Sequence, residues 1–376
     1  MRHVQKRIAS LKYTAYSILL LGFVAAILLT QLWDREIEIR GKQSSFPFLF
    51  LSFVFALADC TSSVVFLTFM AKYPAGYMIS FYVGGGISGV LPCMLTLAQG
   101  TVGDGCNSDV DSDSPDEPRF GANLYFGFLA ILIAISGIAF HLLNTLRVSQ
   151  NERNDIIPST SPCIQASEQE GCDASSENDL ASFSQNCDQT ILTNIRVFDV
   201  FFGVKRRELA QLKWNFVQLF SIIAVVSALG NGVVPAILSY ACLPYGPTAY
   251  HLATELGLLA NPICCFLAFF IACKKPHVLG ILCSLSVVIS SVIIYTATLS
   301  PNPWLVGTTE GSFLIILLNV LWTGCISYIK VNVASVLQQY GENSLLFCGI
   351  VTQLGSCLGA IIIFLINVKT NTFISC

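Results

Sequence analysis

The chain has 376 residues, of which 54% are hydrophobic and only 11% are charged, and its formal net charge is −3. Soluble domains carry about 25% charged residues, so this composition excludes an ordinary soluble protein. The small net charge says little about partners, and we expect no nucleic acid among them.

Nine apolar segments are long enough to cross a lipid bilayer, which takes about 20 residues in a helix. Their apolarity is unbroken, whereas the strands of a membrane barrel would alternate. The sequence therefore predicts an all-α, polytopic membrane protein in contact with the lipid bilayer, without a cleavable signal peptide. The predicted spans are 13–32, 46–71, 79–98, 122–146, 214–238, 249–272, 276–299, 311–333 and 345–366.

Nine spans place the two termini on opposite sides, and Lys and Arg decide which terminus is inside. With a cytoplasmic N-terminus, fifteen of the twenty basic residues fall on the inner side and five on the outer side. We therefore expect a cytoplasmic N-terminus and an extracellular C-terminus.

Two long loops interrupt the spans. The outer loop 99–121 carries six acidic residues but no Gly-centred calcium motif with its closing Glu, so we expect a solvated loop and no metal. The polar segment 147–195 is typical of a disordered linker. The stretch 195–214 is either an interfacial helix or a basic flank of the next span. The predicted organisation is a four-span half (1–146), a cytoplasmic linker (147–213) and a five-span half (214–376).

Ionisable residues inside spans cost about 2.5–3.5 kcal/mol at the helix centre and usually face a cavity or a partner. Asp59 lies near the middle of the second span, and Glu255 lies two turns into the sixth with His251 at i−4 on the same face. We predict proton sensing for these three, with a His251–Glu255 pair that only locks the helix end as the alternative. Lys330 is predicted to snorkel to the inner surface.

Amides and aromatic residues are the candidates for binding a planar, uncharged ligand. Asn231 and Asn261 each stand beside a helix breaker, although hydrogen bonds between helices would explain them equally well. Tyr250, like the nearby Tyr240 and Tyr245, could stack on a ligand or simply belong to the aromatic belt at the membrane interface. Gln99 and Gln353 are weaker candidates.

Small residues predict close helix contacts and one break in helix geometry. Gly85 and Gly89, and likewise Gly355 and Gly359, have GxxxG spacing, which lets two helix backbones approach closely. The fifth span contains NGVVP (231–235), where Gly232 and Pro235 should loosen the helix near its midpoint.

Cysteines on the predicted outer side are the candidates for a disulfide, because that side is oxidising. We predict a Cys242–Cys376 pair, with Cys106 as a competitor. No P-loop, GxGxxG, HExxH or GxSxG motif is present in a setting that would support an enzyme, so we expect neither catalysis nor a cofactor.

Several segments together resemble the animal riboflavin transporter family. The resemblance covers about 46–376 apart from the two long loops. It rests on SFYVGGGISGVLP, LAQG, NGVVP, SYACLPYGPTAYHLA, LLANP, ISYIKV and QLGSCLGA.

The resemblance implies a bundle of two pseudo-repeated halves, like the nucleoside transporters and other major-facilitator-like carriers, in the plasma membrane. It implies eleven spans, so we expect the equivalents of the first two to be missing from this sequence. Asp59 and Glu255 stand where the family has small or uncharged residues, so no family role transfers to them.

We therefore expect a plasma-membrane carrier for riboflavin that works by alternating access. Asn231, Asn261 and Tyr250 are predicted to bind the ligand from one half, and Thr61 and Ser62 from the other. The alternatives are a carrier for another planar solute such as a nucleoside, or a truncated isoform that does not transport. The oligomeric state is left open.

Overall fold

The computed structural model describes residues 2–39, 42–99, 119–146, 206–370 and 373. Its account of side chains covers 10–38, 45–99, 119–146, 213–369 and 373. The α-helices are α1 (Arg2–Leu32), α2 (Phe46–Met70), α3 (Ala75–Gln99), α4 (Ala122–Thr145), α5 (Arg206–Ser227), α6 (Val234–Cys242), α7 (Pro247–Phe270), α8 (Pro276–Thr298), α9 (Thr309–Gln338) and α10 (Glu342–Thr370).

All nine predicted spans are confirmed as helices that are long and apolar enough to cross a membrane, counted over the described residues. The fifth is the longest, at Lys213–Tyr245, because α5 and α6 follow one another within a single crossing. Hydropathy locates these helices well because a backbone in lipid must satisfy its own hydrogen bonds. The helix α5 begins at Arg206, so the end of the predicted linker is already helical, whereas 147–205 lie outside the described residues.

One short β-hairpin accompanies the helices. Strands β1 (Ile37–Ile39) and β2 (Lys42–Ser44) pair antiparallel between α1 and α2, with Ile37 opposite Ser44. The hairpin contributes no surface to the cavity described below, and the fold is that of a helical membrane protein.

The helices form two groups that meet along α2, α3, α7 and α10. On one side, α1 packs against α2 and α4, and on the other, α9 packs extensively against α7. The two groups are joined by α3 against α7 and by α2 against α10. Because α3 packs far more on α7 than on α2 or α4, it belongs as much to this junction as to the N-terminal helices.

The outer faces of the helices are apolar, as expected of a surface that lies in lipid. Phe270 is 71% exposed and Ile281 is 69% exposed, and such side chains recur along most of the spans. A polar residue that is buried or faces a cavity therefore stands out more than an exposed leucine.

A π-helical turn over Ala228–Val233 separates α5 from α6, and Pro235 stands in the first turn of α6. Proline has no N–H to donate, so one backbone hydrogen bond of a regular α-helix is missing at this position. The predicted loosening around Gly232 and Pro235 is confirmed as a change of helix type, and π-turns of this kind frequently occur at functional sites.

Glycines allow two very close helix contacts. A Cβ on Gly232 would lie 2.6 Å from the Ala360 backbone nitrogen, and one on Gly355 would lie 2.6 Å from the Ala224 carbonyl oxygen, so α10 lies directly on the α5–π segment. At α3 the prediction was off by one residue. A Cβ on Gly86 would lie 2.8 Å from the Pro262 nitrogen of α7, while Gly85 has no neighbour within 4 Å.

One end of the bundle, which we call the Lys72 end, is closed by contacts between the two groups. Gln338 Nε2 donates to the carbonyl oxygens of Met70 (3.1 Å) and Tyr73 (2.7 Å). Lys72, only 5% exposed, lies with its Nζ 3.2 Å from Glu342 Oε1. These bonds connect the turn after α2 with the turn between α9 and α10.

Candidate functional site

A polar cavity of about 490 Å³ lies where the two groups of helices meet. Its volume is within the range of about 300–1,000 Å³ that is usual for small-molecule sites. Side chains from α2, α3, α5, the π-turn, α7, α9 and α10 line it. The lining includes Asp59, Cys60, Ser63, Leu67, Phe81, Tyr82, Gly86, Ile223, Asn231, Asn261, Cys265, Ser327, Lys330, Gly349, Thr352, Gln353 and Ser356.

The π-turn presents Asn231 to this cavity, where both ends of its amide are hydrogen-bonded. Its Oδ1 accepts from Lys330 Nζ at 3.0 Å, and its Nδ2 donates to Ser356 Oγ at 2.9 Å. Ser356 in turn donates to the Thr352 carbonyl oxygen at 2.8 Å. These contacts assign oxygen and nitrogen of the amide unambiguously, because an ammonium can only donate.

Lys330 does not snorkel to a membrane surface, so that prediction is wrong. The helix α9 continues to Gln338, which leaves Lys330 two turns inside it, half-buried and facing the cavity. The predicted span ended too early at 333, because hydropathy does not distinguish a helix end from a polar residue that faces an internal cavity.

On α2, the structure brings Asp59 into the cavity together with Ser63. Thr61 and Ser62, the hydroxyl residues predicted to bind the ligand, do not line it. Their hydroxyl groups donate to carbonyl oxygens of the preceding turn, with Thr61 on Leu57 at 2.7 Å and Ser62 on Asp59 at 2.8 Å. The difference is one of helix phase, since Asp59 and Ser63 are four residues apart and share a face.

The ring surfaces in the cavity come from α3. Phe81 and Tyr82 line it with ring centroids 5.6 Å apart in an edge-to-face arrangement. Tyr250 lies elsewhere. Its partly buried ring packs against the hydrophobic core of the bundle, and the ring centroid is 5.7 Å from that of His251. Aromatic residues can stack on a planar ligand, and here that position belongs to α3.

The second predicted amide, Asn261, also lines the cavity and accepts a weak hydrogen bond from Cys265 Sγ at 3.4 Å. Pro262 follows it inside α7, at the contact with Gly86. Gln353 of α10 lines the cavity as well. Three amides on three elements therefore converge on one space.

His251 and Glu255 lie on α7 away from this cavity, and both are half-buried. His251 and Glu255 form no ion pair with each other. The ion pair found in the described part of the chain joins Lys72 to Glu342, at the start of α10. Of the three predicted proton-sensing residues, only Asp59 reaches the cavity.

Only one of the two cysteines in the predicted Cys242–Cys376 disulfide lies in the part of the chain that the structure describes. Cys242 is fully buried at the end of α6, and Cys376 lies outside the described residues, as does Cys106. Phe373 packs its ring 5.6 Å from that of Tyr240, which places the described part of the tail beside α6. The pairing itself stays a prediction.

The sequence did not single out Phe81, Tyr82, Ser63 or Lys330 as site residues. One signal was available for Lys330, because an ionisable residue inside an apolar segment usually faces a cavity or a partner. No such signal exists for Phe81 and Tyr82, since aromatic residues are equally common on a lipid-facing surface.

These features together define a polytopic membrane protein with a polar, ligand-sized cavity at the junction of two helical groups. A comparison with protein families matches residues 1–375 to the family "Solute carrier family 52, riboflavin transporter". The chain belongs to this family.

Curated relatives agree with the family match. The chain is 33% identical over 369 residues to riboflavin transporter member 3-A of Danio rerio, which covers 94% of this chain and 80% of that protein. It is 35% identical over 354 residues to member 2 of Homo sapiens, covering 92% of this chain and 76% of that protein. A third relative, riboflavin transporter 2 of Salmo salar, is 33% identical over 374 residues.

Proposed function

We propose that this protein carries riboflavin across a membrane and that the central cavity is where the vitamin binds. The single observation that carries the proposal is the cavity itself, because ring faces, three amides and several hydroxyl groups converge there in a member of this family. The isoalloxazine ring of riboflavin is planar and uncharged, and the molecule is rich in hydrogen-bonding groups, so it suits a lining of ring faces, amides and hydroxyl groups.

The proposed mechanism is alternating access, in which the two helical groups rock around the cavity. In this structure α2 contacts the C-terminal helices from Val64 to the Lys72 end: Val64 lies against Gly349 of α10, and Lys72 pairs with Glu342. Asp59 and Cys60 lie one turn before Val64, away from the Lys72 end, and are exposed. This supports a cavity that is sealed at the Lys72 end. We propose that this end faces the cytoplasm and that the protein lies in the plasma membrane with a cytoplasmic N-terminus.

Within the cavity, Asn231 and Asn261 remain the proposed amide contacts of the ligand, and we add Ser63, Gln353, Phe81 and Tyr82. Thr61, Ser62 and Tyr250 are not retained as direct contacts, since other residues occupy the cavity wall at those helices. No metal or cofactor enters the proposed mechanism, and the protein acts as a carrier and not as an enzyme.

Uptake of labelled riboflavin into cells or proteoliposomes that contain the full chain tests this function. We expect saturable uptake that unlabelled flavins inhibit and uridine does not. Inhibition by uridine and not by flavins would point to a nucleoside carrier. Correct surface delivery without saturable uptake would indicate a membrane protein that does not transport.

A further inference from the structure

The two charged residues of the cavity lie on different helices, Lys330 on α9 and Asp59 on α2. Lys330 and its neighbour Asn231 offer N–H donors, while Asp59 and Ser63 on α2 offer acceptors. An uncharged ligand in this cavity therefore meets two unlike walls, and each wall selects a different part of it.

The donor wall is built around Lys330. Its ammonium group has three N–H donors, of which Asn231 Oδ1 takes one. Among the described residues, no carboxylate lies within ion-pair distance of Lys330. The remaining donors are therefore available to a ligand, and a ring carbonyl or ring nitrogen is the acceptor that a neutral ligand can offer them.

The neighbours of Lys330 strengthen this polarity. Because Asn231 accepts from Lys330, its Nδ2 faces Ser356 and keeps a second N–H. Gln353, one turn from Ser356 on α10, adds another amide. An ammonium beside an amide N–H group suits an acceptor-rich heteroaromatic edge.

The acceptor wall is formed by Asp59 and Ser63 of α2. The Asp59 carboxylate has no hydrogen bond or ion pair within the described part of the chain, and when ionised it can only accept. The Ser63 hydroxyl group donates to the Asp59 backbone carbonyl oxygen at 3.0 Å. The Ser63 hydroxyl oxygen is therefore left as an acceptor that faces the cavity. Hydroxyl groups of a ligand are the donors that match this wall.

We infer that Lys330 and Asp59 fix the orientation of the transported molecule, with the carbonyl edge of its ring towards Lys330 and its hydroxyl-bearing chain towards Asp59. The inference rests on the proposed function and deepens it. It adds to that function which end of the ligand each of the two residues contacts. The two residues belong to opposite helical groups, so one ligand bridges the groups that must move.

Two probes separate the two ends of the ligand. Riboflavin and lumiflavin share the isoalloxazine ring, but lumiflavin has a methyl group in place of the ribityl chain. Binding of each to the purified full chain in detergent is measured by quenching of flavin fluorescence. We expect Asp59→Asn to weaken riboflavin binding about tenfold, since a charge-assisted hydrogen bond is lost, and to leave lumiflavin binding unchanged.

Lys330→Met should weaken the binding of both probes to a similar extent, and Lys330→Arg should restore most of it because the charge is kept. Glu310→Gln is the matched control, since it neutralises an exposed acidic residue in the first turn of α9, outside the cavity. Equal losses for both probes in Asp59→Asn, or no loss for either, would overturn the inferred orientation while riboflavin binding by the parent still supports the proposed function. A parent chain that binds neither flavin would overturn both.

Discussion

Lys72 Nζ lies 3.2 Å from Glu342 Oε1, and this ion pair ties the turn after α2 to the first turn of α10. The lysine is almost fully buried while the glutamate is partly exposed. The cavity residue Leu67 lies just before this turn in sequence, so the pair closes the bundle directly beyond the ligand space. In the proposed alternating-access cycle, we expect this contact to break when the Lys72 end opens.

Breaking the pair should favour the state that is open at the Lys72 end. We expect Glu342→Gln to destabilise the closed end by about 1–3 kcal/mol, because the buried Lys72 then loses a hydrogen-bonded, partly exposed carboxylate. Labelling of a cysteine placed at Leu67 by a reagent supplied from the Lys72 side should increase. The exchanged pair, Lys72→Glu with Glu342→Lys, should return labelling towards the parent level. Unchanged labelling in the single variant would show that the pair does not hold this end shut.

Gly86 should be intolerant of any side chain. Its Cβ would lie 2.8 Å from the nitrogen and 2.9 Å from the Cα of Pro262, so α3 would have to move away from α7. We expect Gly86→Ala to lower thermal stability by about 1–3 kcal/mol, the usual range for overpacking, with reduced surface delivery. Gly85→Ala is the control, since nothing lies within 4 Å of its Cβ position. Similar melting temperatures for the two variants would contradict this packing.

Neighbouring serines on α2 test the helix phase of the site. Ser63 lines the cavity and Ser62 does not, although both hydroxyl groups donate to the same Asp59 carbonyl oxygen. Ser63→Ala should weaken riboflavin binding about fivefold through loss of one neutral hydrogen bond. Ser62→Ala should bind as the parent does. The opposite result would favour the assignment made from the sequence.

Dependence of uptake on pH tests the proton-sensing hypothesis for His251 and Glu255. We expect a His251→Ala, Glu255→Gln double variant to flatten the uptake profile between about pH 5.5 and 8, because it removes both hypothesised proton-sensing side chains. Asp59→Asn, measured in parallel, shows whether the pH dependence of uptake arises within the cavity instead. The other titratable residues that line the cavity are Cys60, Tyr82, Cys265 and Lys330. A double variant that keeps the parent's profile removes His251 and Glu255 from this role.

The Cys242–Cys376 disulfide is testable by non-reducing peptide mapping. The ring contact between Tyr240 and Phe373 brings the tail to α6, so we expect a cross-linked peptide that contains both cysteines. Cys242→Ser and Cys376→Ser should then each lower the melting temperature, because either one removes the same cross-link. A peptide that joins Cys106 to Cys376 would replace this pairing with its competitor.

The sequence by itself determined how many helices cross the membrane and where they lie, because about 20 apolar residues in lipid have few alternatives to a helix. It also located the helix break at Gly232 and Pro235. It located four polar residues of the cavity as well, since polar groups are conspicuous in apolar segments: Asp59, Asn231, Asn261 and, as a weaker candidate, Gln353.

Only the tertiary structure decided which face of each helix turns inward. In a soluble protein, polar residues mark the outer face, but lipid is as apolar as the protein interior, so the hydrophobic pattern does not encode the facing. For that reason Ser63 and not Ser62 lines the cavity, Gly86 and not Gly85 makes the contact with α7, and Lys330 lies beside Asn231 and not at the membrane surface. These choices depend on how helices far apart in sequence pack together.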